Sequence, residues 1–208
     1  VTAMTPEPGA EIEAITNEHL GRRLRELRLR SGMSLRALAR ELGISPSAVS
    51  QIELGTMRPS VSRLIAFVSA IGVPLAAVFD TAEAPDADPA GPSAPPGFAI
   101  RRSWEVAPIR LSGGITFRRL SPAPSPDVEF FESTYPPNSI SNAHGHFLKH
   151  EGYEVGTVTR GELTIDFESE VVTLAEGDSI TFPCSRPHII GNRSETVTAV
   201  ATWLIVHH

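Results

Sequence analysis

The chain has 208 residues, 41% hydrophobic and 20% charged, with one cysteine and a formal net charge of −6. That length allows one large or two small domains, and the composition is that of a globular protein. A lone Cys184 excludes an intramolecular disulfide and a cysteine zinc cluster, and no apolar run reaches the ~20 residues that span a bilayer, so a reducing cytoplasm and no membrane are expected.

The charge is unevenly spread. Residues 17–80 hold nine arginines against five acidic residues, a balance of +4, and the remainder carries −10. A basic N-terminal unit joined to an acidic remainder points to one phosphate-facing module and a second with another task.

Residues 1–16, VTAMTPEPGAEIEAIT, are acidic, lack the layout of a signal peptide and read as a disordered lead-in. From Asn17 to about Ser31, Leu20, Leu24 and Leu27 recur at helical spacing, with arginines opposite them, facing solvent or phosphate. Gly32 ends that helix. Ser34 is placed to cap a second one, whose stripe is Leu35, Leu38, Ala39 and Leu42. Gly43 stands where the chain must take a positive φ, and Ser45 then caps a third helix with Pro46 in its first position. Val49 and Ile52 face inward there, leaving Ser47, Ala48, Ser50 and Gln51 outward. Small polar groups and one amide on an exposed helix suit insertion into the DNA major groove. Pro59-Ser60 opens a fourth helix with the stripe Val61, Leu64, Ile65, Val68 and Ile71. After Gly72, Pro74 starts a fifth, ending near Phe79. Residues 17–80 are thus expected to form an all-α unit of five helices.

The run LxxLAxxLGISPSxVSQIExGxxxPS, continuing to LxxxxxxxGVPLxxxF over residues 35–79, resembles the lambda-repressor-like (XRE-type) helix-turn-helix family. The resemblance implies that the helix from Ser45 to about Leu54 reads the groove. Ser47, Ser50 and Gln51 would approach bases, with Ala48 on the same face, and Gln51 could use both its donor and its acceptor on adenine. Ser45, Arg58, Ser60 and Ser62 would lie at edges where phosphate contacts are usual. Glu53 is expected to stabilise the domain rather than touch DNA, because phosphates repel a carboxylate.

Residues 81–97, following Asp80, are rich in Pro, Ala, Asp and Gly without periodicity and read as a semi-extended linker. Such a linker transmits little torque, so signals between domains would pass through dimer geometry or direct docking. From Phe98 to the end the texture is β: VEFFESTY, GTVTR, ELTIDF, VVTLA, SITFP and ETVTAVATWLIV are punctuated by Gly and Pro, with turns at Arg160-Gly161 and Glu176-Gly177-Asp178. Residues 98–208 should form an all-β sandwich or small barrel, whose interior can hold one small ligand.

His144, His146 and His150 precede Glu154, and His188 follows. On a strand His146, Leu148 and His150 would share a face, and a bend at Gly152 would bring His150 to Glu154. These segments resemble the cupin family: His150, Glu154 and Gly161 in a first motif, and Gly177, Pro183, His188 and Asn192 in a second, with Ser185 where a glycine is usual. The resemblance implies a jelly-roll barrel and one divalent metal (Fe, Zn, Ni or Mn) on His150, Glu154 and His188. Leu148 replaces the family's first histidine, and His146 could substitute only if the strand shifts. Without metal the same residues would line a polar ligand pocket. Cys184 reads as packing or as a redox-sensitive thiol, and Trp104, Trp203, Phe130 and Phe131 as core or dimer surface.

The leading expectation is a cytoplasmic, sequence-specific transcription regulator, by default a repressor. A homodimer, or a dimer of dimers, would bind a double-stranded DNA operator, and the barrel would sense a small-molecule effector or metal. The alternative is a non-haem iron enzyme resembling the phosphonate epoxidases, which also join a helix-turn-helix-like domain to a cupin and share the His-x-x-x-Glu spacing of His150 and Glu154.

Overall fold

The computed structural model describes residues 15–79, 98–123, 127–142 and 147–207. The expected linker lies outside the described residues, as does the lead-in up to residue 14. Ile15 and Thr16 are ordered parts of the fold: the Ile15 N–H donates to the Pro108 carbonyl, and Thr16 caps the first helix.

Four α-helices form the N-terminal unit: α1 (Asn17–Arg30), α2 (Leu35–Glu41), α3 (Pro46–Glu53) and α4 (Val61–Ala70). Serine hydroxyls cap α2, α3 and α4, with Ser34, Ser45 and Ser60 accepting from Ala37, Ala48 and Arg63 N–H groups at 3.1, 3.1 and 3.2 Å. Each cap satisfies an orphan donor of the first turn, which fixes where the helix begins. Gly43 takes the expected positive φ of 62° between α2 and α3. The fifth helix is corrected: Leu75–Phe79 is a 3₁₀ turn. Five residues after Pro74 are too few to establish an α-helical hydrogen-bond ladder, and the tighter i to i+3 pattern is common in such short connectors.

The C-terminal unit is all β and antiparallel. Strands β1 (Ile109–Arg110), β2 (Thr116–Arg119), β3 (Val128–Tyr135), β4 (Ser139–Ile140), β5 (Tyr153–Arg160), β6 (Glu162–Asp166), β7 (Val171–Ala175), β8 (Ser179–Pro183), β9 (Ile189–Asn192) and β10 (Ala199–Val206) form two sheets. One runs β1-β2-β3-β10-β5-β8 and the other β4-β9-β6-β7. Burial alternates along β3, β5 and β10, as in a sheet with one inner face. In register, Phe131 pairs with Trp203, and Trp203 with Gly156. Ile205 likewise pairs with Glu129 on β3 and with Glu154 on β5. The first row closes the core, where Trp203 Nε1 donates to Ser133 Oγ at 2.8 Å. The second row carries carboxylates inward.

The two units touch directly, and their buried apolar residues form one continuous cluster. Phe79 packs on Phe131 with ring centroids 5.7 Å apart. The Ala76 N–H donates to Glu129 Oε1 at 2.6 Å, and Ser112 N–H to the Pro59 carbonyl at 2.9 Å. At the start of α4, the Ser62 N–H and hydroxyl both donate to the Ser141 carbonyl, at 3.2 and 3.3 Å. Of the two routes between domains left open by the sequence, direct docking is present.

A candidate nucleic-acid interface and a candidate metal centre

On α3 the inward residues are Val49, Ile52 and Glu53, all buried. Ser47 and Gln51 are exposed, and Ala48 and Ser50 are half-buried beside them. Ser45 and Arg58 are exposed, and Ser60 is half-buried at the α4 cap. Ser62 lies elsewhere than expected: it is 7% exposed and faces the β unit. Its place on α4 reads equally as a rim position or as part of the docking face, and the Ser141 carbonyl takes both of its donors.

The nine arginines divide by role. Arg22, Arg25, Arg30, Arg36, Arg40 and Arg58 are exposed and give this unit its basic surface. Arg23, Arg28 and Arg63 are structural. Arg23 Nε donates to the Ala77 carbonyl at 3.0 Å, and Arg63 Nη1 to the Leu42 carbonyl at 2.8 Å. Arg28 forks onto Glu53, with Nε–Oε1 at 2.5 Å and Nη2–Oε2 at 2.8 Å, and its Nη1 reaches the Met33 carbonyl. Hydrogen bonding to Glu53 raises the Arg28 pKa further, so the guanidinium stays charged. Glu53 therefore pins the end of α3 to α1. Sequence reasoning missed Arg23 and Arg28 as interior residues, although both lie within one position of the Leu24 and Leu27 stripe.

In the β unit His150 precedes β5, Glu154 is its second residue, and His188 immediately precedes β9. Their ligand atoms lie within 4.8 Å of one another. His150 Nε2 is 3.0 Å and His188 Nε2 is 3.7 Å from Glu154 Oε1. The bend needed to bring His150 to Glu154 is at Gly152, whose φ is +95°. A Cβ there would meet the Val206 carbonyl oxygen at 2.2 Å. Gly152→Ala should therefore separate His150 from Glu154 and destabilise the barrel by at least about 1–3 kcal/mol, the cost of strained backbone, checked by thermal melting and zinc titration.

The side chains fit a divalent metal. His188 Nδ1 faces the Arg186 carbonyl at 2.9 Å and donates to it, which orients the ring with Nε2 toward Glu154. Two imidazoles and one carboxylate are the donor set of the facial triad found in non-haem iron sites. Leu148, bridged to His188 through two 3.0 Å backbone bonds, faces the cavity beside them and supplies no ligand. His144 and His146 lie outside the described residues. Cys184 is fully buried, and burial, reinforced by the Glu154 charge, pushes its pKa up to about 12, so it is packing rather than a reactive thiol. Trp203 and Phe131 are core residues, whereas Trp104 and Phe130 are exposed.

Residues 19–78 match the helix-turn-helix domain model and residues 131–205 the cupin domain model. The chain thus joins a helix-turn-helix domain to a C-terminal cupin domain. It is similar to the HTH-type transcriptional regulator PuuR of Escherichia coli (strain K12), with 27% identity over 181 residues, covering 86% of this chain and 91% of that protein. Among solved structures it shares its fold with an HTH_3 family transcriptional regulator from Vibrio cholerae, at a TM-score of 0.64 and 22% identity over 92% of this chain and 97% of that one. The hydroxypropylphosphonic acid epoxidase of S. wedmorenis aligns over 91% of this chain and 98% of its own, at 19% identity and a TM-score of 0.46, too low to bear on activity. No helix among the described residues is long and apolar enough to cross a membrane.

Proposed function

We propose that this protein is a cytoplasmic, sequence-specific DNA-binding regulator of transcription, by default a repressor, whose cupin domain senses a metal ion or a small molecule. The observation that carries this reading is α3, a capped helix anchored from behind by Val49, Ile52 and Glu53 that presents Ser47 and Gln51 to solvent. Six exposed arginines on the same domain supply the sequence-independent attraction to phosphate. The named relative, a transcriptional regulator aligned along most of both chains, agrees with it.

Two copies would bind a palindromic operator, one α3 per half-site about 34 Å apart. Selection from a pool of random duplexes at low salt should return such a palindrome. Gln51→Ala should then bind it at least about 30-fold more weakly, since it removes two bidentate base contacts worth ~1–3 kcal/mol each, and relax the preference at one base pair per half-site. Failure to enrich any duplex, with wild type and Gln51→Ala indistinguishable, would sink the reading.

His150, Glu154 and His188 favour one second reading, an iron-dependent enzyme. A bound metal would supply Lewis acidity and open coordination positions. Near-stoichiometric iron in the purified protein, lost in His150→Ala, together with no DNA affinity, is the result that would prefer it.

A further inference from the structure

The space beside Glu154 and His188 is not enclosed by the cupin alone. Barrel residues including Tyr135, Ser141, Leu148, Glu154, His188 and Ile190 line it, and Val61 and Ile65 of α4 face it from the helical domain. Both α4 side chains are buried, at 4% and 8% exposure. The free space there is about 30 Å³. That is room for about two waters, each needing ~10–15 Å³. Pockets that hold organic ligands run to roughly 300–1,000 Å³. With α4 in place, the barrel has room for an ion and its waters and for little else.

We propose that α4 of the DNA-binding domain and an organic effector compete for the same barrel mouth, and that Val61 and Ile65 belong to the effector site. This rests on the regulator reading above and adds how the signal travels. A metal ion on His150, Glu154 and His188 is compatible with the docked arrangement. An organic molecule seated beside Glu154 and His188 needs more than this space and has to expel Val61 and Ile65, and with them the Ser62–Ser141 contact. The docked state is taken as the DNA-competent one: it leaves Ser45, Ser47, Gln51 and Arg58 exposed, so docking does not block the groove-reading face. Expulsion releases the domain from the barrel, and a spacing of two recognition helices that docking sets would be lost.

The 3.2 Å contact between the Ser62 nitrogen and the Ser141 oxygen makes these two positions neighbours in the docked state, so cysteines placed there report docking. In the full chain, Ser62→Cys/Ser141→Cys should cross-link on mild oxidation. The oxidised protein should bind the selected operator within about 3-fold of the reduced one. Leu148→Trp, added to that pair, mimics an effector by filling the cavity. It should slow cross-linking at least 10-fold and weaken operator binding by a similar factor. Should Leu148→Trp fail to fold, Ile65→Ala removes the roof contact instead and should slow cross-linking in the same direction. Absence of a cross-link, loss of operator binding in the locked form, or a cavity-filling variant that changes neither readout would each overturn the proposal. Cross-linking needs no DNA, so a chain that docks as described but binds no duplex would reject the regulator reading and leave docking established.

Discussion

Glu53→Ala should lower the stability of the helix-turn-helix domain by about 3–5 kcal/mol, the cost of leaving a buried charge without its partner. The lost carboxylate accepts two hydrogen bonds from Arg28, whose side chain is 7% exposed, leaving that guanidinium only the Met33 carbonyl. At ~4–8 °C per kcal/mol for a domain of this size, the thermal midpoint should fall by at least about 12 °C. The charge, more than the volume, is responsible, so Arg28→Met/Glu53→Leu should recover most of the loss even though it removes both partners. Operator affinity should follow stability in Glu53→Ala, because the pair ties the end of α3 to α1 and so sets the pitch at which Ser47 and Gln51 face the groove. A midpoint shift below about 2 °C, or a double variant less stable than Glu53→Ala, would contradict this account.

The helical domain was legible because its signals are local. A serine cap, an apolar stripe and a glycine at positive φ act within a few residues, and each of them stands where the sequence places it. Arginine burial was not legible, since an arginine beside a leucine stripe can lie along the core or in water, and only the position of Glu53, 25 residues from Arg28, decides. The docking face was hidden for a related reason. Val61 and Ile65 sit on the same stripe as Leu64 and Val68, so the pattern says that they are covered but not by which domain. Ser62 was assigned to the DNA edge by resemblance, and a contact with Ser141 that links residues 79 positions apart places it elsewhere. In the barrel, β3, β7, β8 and β10 follow runs of β-branched and aromatic residues that are visible in sequence. The short strands β1, β2 and β4 carry no such runs and exist only through their partners. The metal candidates were legible down to the bend at Gly152, because a turn that only glycine tolerates lies between a histidine and a glutamate.

Metal binding should release a proton and should weaken as the solution is acidified. Both ring nitrogens of His150 face oxygens: Nδ1 lies 3.1 Å from the Glu151 carbonyl and Nε2 3.0 Å from Glu154 Oε1. A backbone carbonyl only accepts, as does a carboxylate, so this setting favours the protonated ring. Burial opposes that charge. The Glu154 hydrogen bond and charge, the Glu151 carbonyl and the Glu129 charge outweigh it and raise the His150 pKa above its ordinary 6.5. A group whose pKa rises on folding stabilises the fold fully below its unfolded value and loses that contribution as pH climbs through the folded one. Metal-free protein should therefore lose stability above about pH 6.5 relative to His150→Ala. Zinc reverses the trend, because it takes the place of the proton that His150 gives up. The rise in thermal midpoint on adding zinc should be larger near pH 8 than near pH 6. Titration calorimetry in buffers of different ionisation enthalpy should register close to one proton released per ion in the lower part of that range. Zinc affinity that is flat across it, or unchanged by His188→Ala, would mean that these three side chains hold one another and not an ion.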